Sequence, residues 1–426
     1  MGPEIRRRID ELAAISESPD HLTRIFLSPE QARANELVLG WMRDAGMEAR
    51  VDAIGNVVGR YEGVRPGLPA LVLGSHLDTV RDAGKYDGML GVVTAIACVA
   101  EFNRASRRLD FAITIIGFSD EEGVRFGTTM LGSEAAAGTF DLGRLDRVDG
   151  SGITMAQALR NFGLDPERIG EAALKREDVL AYVEFHIEQG PVLEGWGLPV
   201  GCVTSISGAT RYEVTIGGEA GHAGTVPMTA RKDALAAAAE CVLAVEARCA
   251  ADPGLVGTVG RIEAKPSAIN VIPGYVAFTI DIRAPEDAQR AEAAADVLRQ
   301  LETIAAKRRV TLTARKIYDK AATPCAPWLM QQVDTAIAAE GITPFHLPSG
   351  AGHDGMAMIA IADIGMIFLR CKGGISHNPA EAITVDDAET GAQVLLRFIE
   401  NFRAKIRIAS PLEGEVGNAS ALAGGG

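Results

Sequence analysis

The chain of 426 residues is long enough for two or three domains, and with 47% hydrophobic and 23% charged residues it has the composition of a globular protein with a large core. Its 56 acidic against 42 basic residues give a formal charge of −14, which argues against nucleic acid as a partner because that role needs a basic face. No run approaches the roughly 18 apolar residues of a membrane span, and six scattered cysteines with no CxxC pair read as buried thiols in a reducing compartment, so a cytoplasmic protein without a membrane or nucleic-acid partner is expected.

Helix-period patterns come first. Ile5, Ile9, Leu12 and Ala13 form one apolar stripe in a charged segment that lacks the apolar region of a signal peptide, and Pro29 opens a second helix running to about Met47. Two short strands are expected over 49–53 and 56–61, joined by a Gly-containing turn. Then follow a strand over 70–74, a loop, a helix over 88–102 that is apolar all round, and a near-continuous apolar strand over 111–118. Runs of that kind belong to a sheet covered on both faces, which indicates an α/β layered core.

From about residue 209 to 317 the rhythm changes. Tyr212 to Ile216 alternates as a strand, 230–250 is an alanine-rich helix, 255–264 and 270–283 are strands, 285–306 is a helix and 310–317 a last strand. The order βαββαβ is that of a ferredoxin-like sandwich, whose ends lie close enough for insertion into a larger domain. The expected organisation is a discontinuous catalytic domain over 1–208 and 318–408, an inserted domain over 209–317, and a disordered Gly/Ala/Ser-rich tail over 409–426.

Chemistry collects where the apolar runs end. Gly74-Ser-His-Leu-Asp-Thr-Val80 leads to Tyr86-Asp-Gly88, and Phe118-Ser-Asp-Glu-Glu-Gly123 closes the next strand. Strand ends in an open α/β sheet are where active-site residues gather. Among seven histidines, His76, His186 and His377 follow or lie in strand-like runs, and histidine with carboxylate suits zinc, manganese or cobalt. A pair of such ions needs a bridging carboxylate and terminal ligands for each. Asp87 is the bridging candidate, in a Gly-flanked loop at a helix N-terminus that favours negative charge. Asp78, two residues past His76, is placed to accept the imidazole's second N–H. Glu121 and Glu122 diverge as neighbours, so one suits a metal and the other a general base. Alone, a His-x-Asp is more often a surface pair and an Asp-Glu-Glu run a solvated turn; their co-occurrence at strand ends carries the argument. His21 has no partner of this kind and is read as structural.

Five strings in order then identify a family. Gly74 to Val80, Tyr86-Asp-Gly-Met-Leu-Gly-Val92, Ser119-Asp-Glu-Glu-Gly-Val-Arg-Phe-Gly127, Glu184-Phe-His-Ile-Glu-Gln-Gly-Pro191 and Gly374-Ile-Ser-His-Asn-Pro-Ala-Glu381 resemble the hydantoinase/carbamoylase amidases over about residues 5–405. This branch of the aminoacylase-like dinuclear metallopeptidase clan includes allantoate amidohydrolase, N-carbamoyl-L-amino-acid hydrolase and β-ureidopropionase. The resemblance implies a peptidase-like α/β/α catalytic domain with an inserted ferredoxin-like α+β lid through which two subunits form a homodimer. It implies two divalent metal ions per subunit, zinc or manganese, with cobalt and nickel as alternatives. His76 and His186 would bind one, Glu122 and His377 the other, with Asp87 bridging, Asp78 supporting catalysis and Glu121 as general base. In related peptidases a glutamate stands where His186 stands, so histidine there marks the amidase branch. The lid would supply His222 to the oxyanion in the partner subunit's site, and Asn270 and Arg283 to the substrate carboxylate, a task suited to a planar guanidinium. Gln189 and the loop from Ser349 through Gly352 and His353 would line the pocket. Without the resemblance His222 reads as a loop histidine and Arg283 as a strand-end charge. The implied substrate is a small carboxylated ureido compound: allantoate, or alternatively an N-carbamoyl amino acid.

Overall fold

The computed structural model describes residues 1–405, and the tail expected over 409–426 lies outside them. Two large sheets and a two-stranded ribbon organise the described chain. The larger has nine strands, in the spatial order Glu48–Val51, Val57–Tyr61, Ala112–Phe118, Ala70–His76, Val179–Ile187, Ile364–Leu369, Val200–Ile206 and Thr323–Pro324, with His346–Ser349 also paired to Val200–Ile206. The four strands at its centre are mutually parallel, and Val57–Tyr61 and Val200–Ile206 flank them antiparallel. Every residue of Ala70–His76, Ala112–Phe118 and Ile364–Leu369 is buried, as their unbroken apolar runs require. Helices Gly2–Ala13, Met89–Arg104 and Val385–Asn401 join the core on one face, and the short Leu131–Ala136 and Gly355–Met358 segments lie on the other. Helix Met89–Arg104 packs so close that a Cβ on Gly91 would stand 2.2 Å from the Phe185 carbonyl oxygen.

Register aligns the chemistry. His76 stands opposite Phe118, Phe368 opposite His186, and Leu369 opposite Ile187. The C-terminal ends of four parallel strands therefore open onto one edge, and each is followed within a few residues by a candidate group.

The second sheet takes residues from Gly208 to Lys320 in the order Ile262–Lys265, Tyr275–Ala284, Gly208–Gly217 and Thr311–Lys320, antiparallel throughout, with Val256–Thr258 also on Tyr275–Ala284. Alternate residues of its two central strands are buried against helices Ala234–Ala250 and Asp287–Arg308. The helix expected from 230 starts at Ala234 because Asp233 caps it, Oδ1 accepting the Leu235 and Ala236 N–H groups at 3.0 Å. The strand expected over 270–283 is divided. Pro273, which has no N–H for the ladder, separates Tyr275–Ala284 from Val271–Ile272, and the latter pairs with Gly221–His222 instead. A bulge between Lys316 and Tyr318 carries the last strand on to Lys320. No helix among the described residues is long and apolar enough to cross a membrane.

Candidate metal centre and substrate cavity

Asp87 is the focus of the site. Its Oδ1 lies 3.4 Å from His76 Nε2 and 3.2 Å from His186 Nε2, while its Oδ2 lies 3.2 Å from His377 Nε2. Glu122 Oε1 is in turn 3.5 Å from His377 Nε2. The two carboxylate oxygens thus face two different sets of donors, one of His76 and His186 and one of His377 and Glu122, each clustered tightly enough to hold an ion. Carbonyl oxygens fix the imidazoles from behind: His76 Nδ1 faces Asp78 O at 3.0 Å and His186 Nδ1 faces Ile187 O at 2.8 Å. A carbonyl only accepts, so each Nδ1 carries the proton and Nε2 is turned to Asp87.

Backbone conformation is tuned to this geometry. Gly88 has φ +75°, and a Cβ there would lie 2.5 Å from the His76 ring. His377 and Gln189 both adopt positive φ, 53° and 59°, a strained region for non-glycine residues of the kind that clusters at functional sites. Gln189 donates from Nε2 to Asp87 Oδ2 at 2.8 Å, and Ser376 Oγ donates to the same oxygen at 2.8 Å. Glu381 holds the loop, accepting the Tyr86 and Asp87 N–H groups at 2.7 and 3.2 Å.

Buried negative charge dominates the electrostatics. Burial alone would raise the Asp87 carboxyl, but His186, His377 and His76 hold it well below the ordinary carboxylate range. For His76, burial is outweighed by Asp78 and Asp87, which hold the imidazole well above its usual value; Asp87 likewise raises His377. Burial, then the charge of Glu122, pushes Glu121 well up, and burial brings Glu122 to about 7. Asp120, Glu184 and Asp354 are also buried and raised, first by burial. So many carboxylates around three imidazoles call for positive charge from outside the chain, and a His/carboxylate donor set fits hard or borderline divalent cations.

A cavity of about 290 Å³ opens over these groups, with His76, Asp87, Glu121, Glu122, His186 and His377 on one wall. The second sheet supplies the facing wall: Arg283, and with it Arg211, Tyr318 and Lys320, which sequence reasoning missed. Asp281 orients both guanidiniums, accepting from Arg283 Nε at 3.1 Å and from Arg211 Nε at 2.9 Å, while Arg283 Nη1 reaches Gly350 O at 2.8 Å. Arg211 also lies over the Tyr318 ring, 4.7 Å from its centroid.

Four of the expected site residues lie outside the cavity lining. Asp78 does not line the cavity. Its carboxylate accepts the Glu121 and Glu122 N–H groups at 2.9 and 3.2 Å, and its carbonyl, rather than its carboxylate, makes the closer contact with His76. It is a positioning residue for the glutamate pair. His353 is buried behind His186, ring centroids 4.6 Å apart, with Nε2 2.7 Å from Ser349 Oγ, so it faces the protein interior while Gly352 borders the cavity. His222 and Asn270 come together on the small ribbon, where Ala223 N–H donates to Asn270 O at 2.9 Å, but both are exposed and neither lines the cavity of its own chain. Glu184 escaped the sequence reading although a carboxylate inside a fully buried strand, two residues from His186 and on the same face, is a readable signal. It accepts from Ser75 Oγ at 3.1 Å, Tyr182 Oη at 3.0 Å and Gly355 N–H at 3.2 Å.

Residues 72–401 match the model of peptidase family M20/M25/M40. The chain is 42% identical over 400 residues to the N-carbamoyl-L-amino acid amidohydrolase of Geobacillus stearothermophilus, covering 94% of this chain and 98% of that one. It is 41% identical over 432 residues to the allantoate deiminase of Arabidopsis thaliana, covering 94% and 82%. A crystal structure of a hydantoinase/carbamoylase-family amidase from Burkholderia multivorans superposes with a TM-score of 0.87 at 32% identity, covering 94% and 97%.

Proposed function

Since the chain belongs to peptidase family M20/M25/M40, in its hydantoinase/carbamoylase amidase branch, and is a hydrolase of C–N bonds, we propose that it cleaves the ureido group of allantoate to give ureidoglycine, ammonia and carbon dioxide. The observation that carries this reading is the opposition of two walls across one cavity: Asp87 with its two donor sets on one side, Arg283 on the other. A carboxylate held by Arg283 leaves the ureido end of a small substrate to face Asp87.

His76 and His186 would hold one divalent ion, zinc or manganese, Glu122 and His377 the other, and Asp87 would bridge them. What a bound divalent pair contributes is Lewis-acid polarisation of a carbonyl and acidification of water. Glu121 then accepts the proton of the attacking water and returns it to the leaving nitrogen. Ammonia leaves, and the carbamate that remains decomposes to carbon dioxide and the free amine. Asp78 fixes the Glu121 backbone for this transfer. We further assign His222 and Asn270 to the cavity of a second subunit in a homodimer formed through the second sheet. His222 Nδ1 accepts the Gly224 N–H at 3.1 Å, which leaves Nε2 free to donate to an oxyanion. Six unpaired, buried thiols support a reducing, cytoplasmic setting.

The alternative substrate class is an N-carbamoyl amino acid, favoured by the equally similar Geobacillus relative. Ammonia release from allantoate, N-carbamoyl-β-alanine and a panel of N-carbamoyl-L-amino acids after manganese, zinc or cobalt loading decides between them. The highest kcat/KM on allantoate is expected. A higher value on an N-carbamoyl amino acid installs the alternative, and no ammonia from any of them rejects both.

A further inference from the structure

Away from the cavity, three metal-binding side chains meet beside the larger sheet: Cys202 on Val200–Ile206, Asp334 on helix Pro327–Ala339 and His346 at the head of His346–Ser349. Two are fixed by register, since His346 stands opposite Cys202 in the parallel pair. One donor atom from each residue lies within 4.8 Å of the other two. His346 Nε2 is 2.9 Å from both Asp334 oxygens. An exposed His–Asp pair alone would be an ordinary surface ion pair. The thiol beneath it changes the chemistry. Cys202 is buried, its Sγ 4.0 and 3.9 Å from the Val203 and Met330 carbonyls, and burial, then the charge of Asp334, pushes its thiol up.

We propose that Cys202, Asp334 and His346 form a third cation site, distinct from the cavity and selective for a borderline-soft divalent ion of the zinc type. Sulfur, imidazole nitrogen and carboxylate oxygen together are the donor set such an ion takes, and three protein ligands leave a fourth position for water. Binding makes a bond to Sγ and releases the thiol proton to bulk water; His346 contributes Nε2 and Asp334 one oxygen. The site differs in kind from the cavity, whose candidate ligands include no sulfur. It also has a mechanical consequence. His346 opens the strand that ends at Ser349 and leads through Gly350 to Gly352 at the cavity, so an ion at its head braces the segment that borders the substrate.

Cd2+ is the probe, added to enzyme already loaded with Mn2+, because thiolate-to-Cd2+ charge-transfer absorption reports sulfur ligation wherever else cadmium binds. One equivalent of that absorption per chain is expected. Cys202→Ser should abolish it, and His346→Ala, a surface change that leaves the core intact, should move its midpoint to at least about tenfold higher Cd2+. The proposal is overturned by wild-type enzyme that develops no such band, by a band that survives Cys202→Ser, or by a midpoint that His346→Ala leaves in place.

Discussion

Glu121→Gln separates proton transfer from metal binding. Glu121 is 8% exposed, borders the cavity, and has its backbone N–H held by Asp78 Oδ1 at 2.9 Å, so glutamine fills the same volume on the same anchored backbone. What the amide lacks is a carboxylate able to accept a proton. General acid–base catalysis contributes about 10²–10⁴-fold, or about 3–5 kcal/mol of barrier, and that is the expected loss in kcat. The neighbouring Glu122 is the control: it lies 3.5 Å from His377 Nε2, within the second donor set of Asp87, so Glu122→Gln should lose metal. The assay runs ammonia release beside metal content per chain, measured by plasma mass spectrometry after desalting. Glu121→Gln should keep wild-type metal and turn over at least about a hundredfold more slowly. A variant that retained more than about a tenth of wild-type kcat would remove Glu121 as the base. One that lost metal would make Glu121 a ligand and reverse the roles of the pair.

Arg283→Ala should raise KM for carboxylated substrates by about tenfold to a hundredfold, the worth of a charged hydrogen bond, and an unchanged KM would place the carboxylate elsewhere. Gly88→Ala sets a Cβ 2.5 Å from the His76 ring at φ +75°, so besides about 1–3 kcal/mol of backbone strain it should displace the imidazole; lower metal content at unchanged secondary structure is expected, and full metal content would contradict the geometry. Arg24 is fully buried and donates to the carbonyls of Leu77, Leu12 and Ile15 at 2.9, 2.9 and 3.0 Å. Burial lowers its pKa only to about 10, so it remains charged at neutral pH. Arg24→Met strands those carbonyls and should cost about 3 kcal/mol or more, read as a lower thermal midpoint; an unshifted midpoint would refute the accounting. Burial pushes Cys241 and Cys371 up to about 11 and Cys325 up to about 12. Their thiolate fractions therefore grow only as pH approaches those values, and a thiol-specific disulfide reagent at pH 8 should titrate these three only after urea; rapid native reaction at any of them would show an open path to the core.

The core of the site was legible because its residues are local to strands whose apolar runs can be read directly. His76, Glu121 and Glu122 follow or close such runs within a few positions, His186 lies inside one, and the parallel register brings the ends together. Orientation in loops was not legible. Nothing in the spacing of Asp78 says that its carboxylate turns to the Glu121 and Glu122 backbone, and nothing in the Ser349–His353 turn says that His353 points inward. Those directions are set by tertiary hydrogen bonds that spacing does not encode. The support of Asp87 was hidden for a further reason: Gln189, Ser376 and Glu381 reach it from 102, 289 and 294 residues away.

The second sheet shows where periodicity stops informing. Alternation correctly separates its buried face from its other face, yet it cannot tell a face that meets water from one that meets a cavity. Arg211, Lys320 and Arg283 all occupy that second face, and as sequence they look like solvated strand charges. Only the packing of this sheet over the edge of the other turns them towards the acidic wall, with Asp281 holding both guanidiniums. The division of labour follows from the charges. An acidic wall without cations would repel a carboxylated substrate, and a basic wall alone would bind it without chemistry. For the proposed substrate, with a carboxylate at one end and an uncharged ureido group at the other, selectivity therefore belongs to the distance between the walls, which is set by how the two sheets meet and not by any single motif.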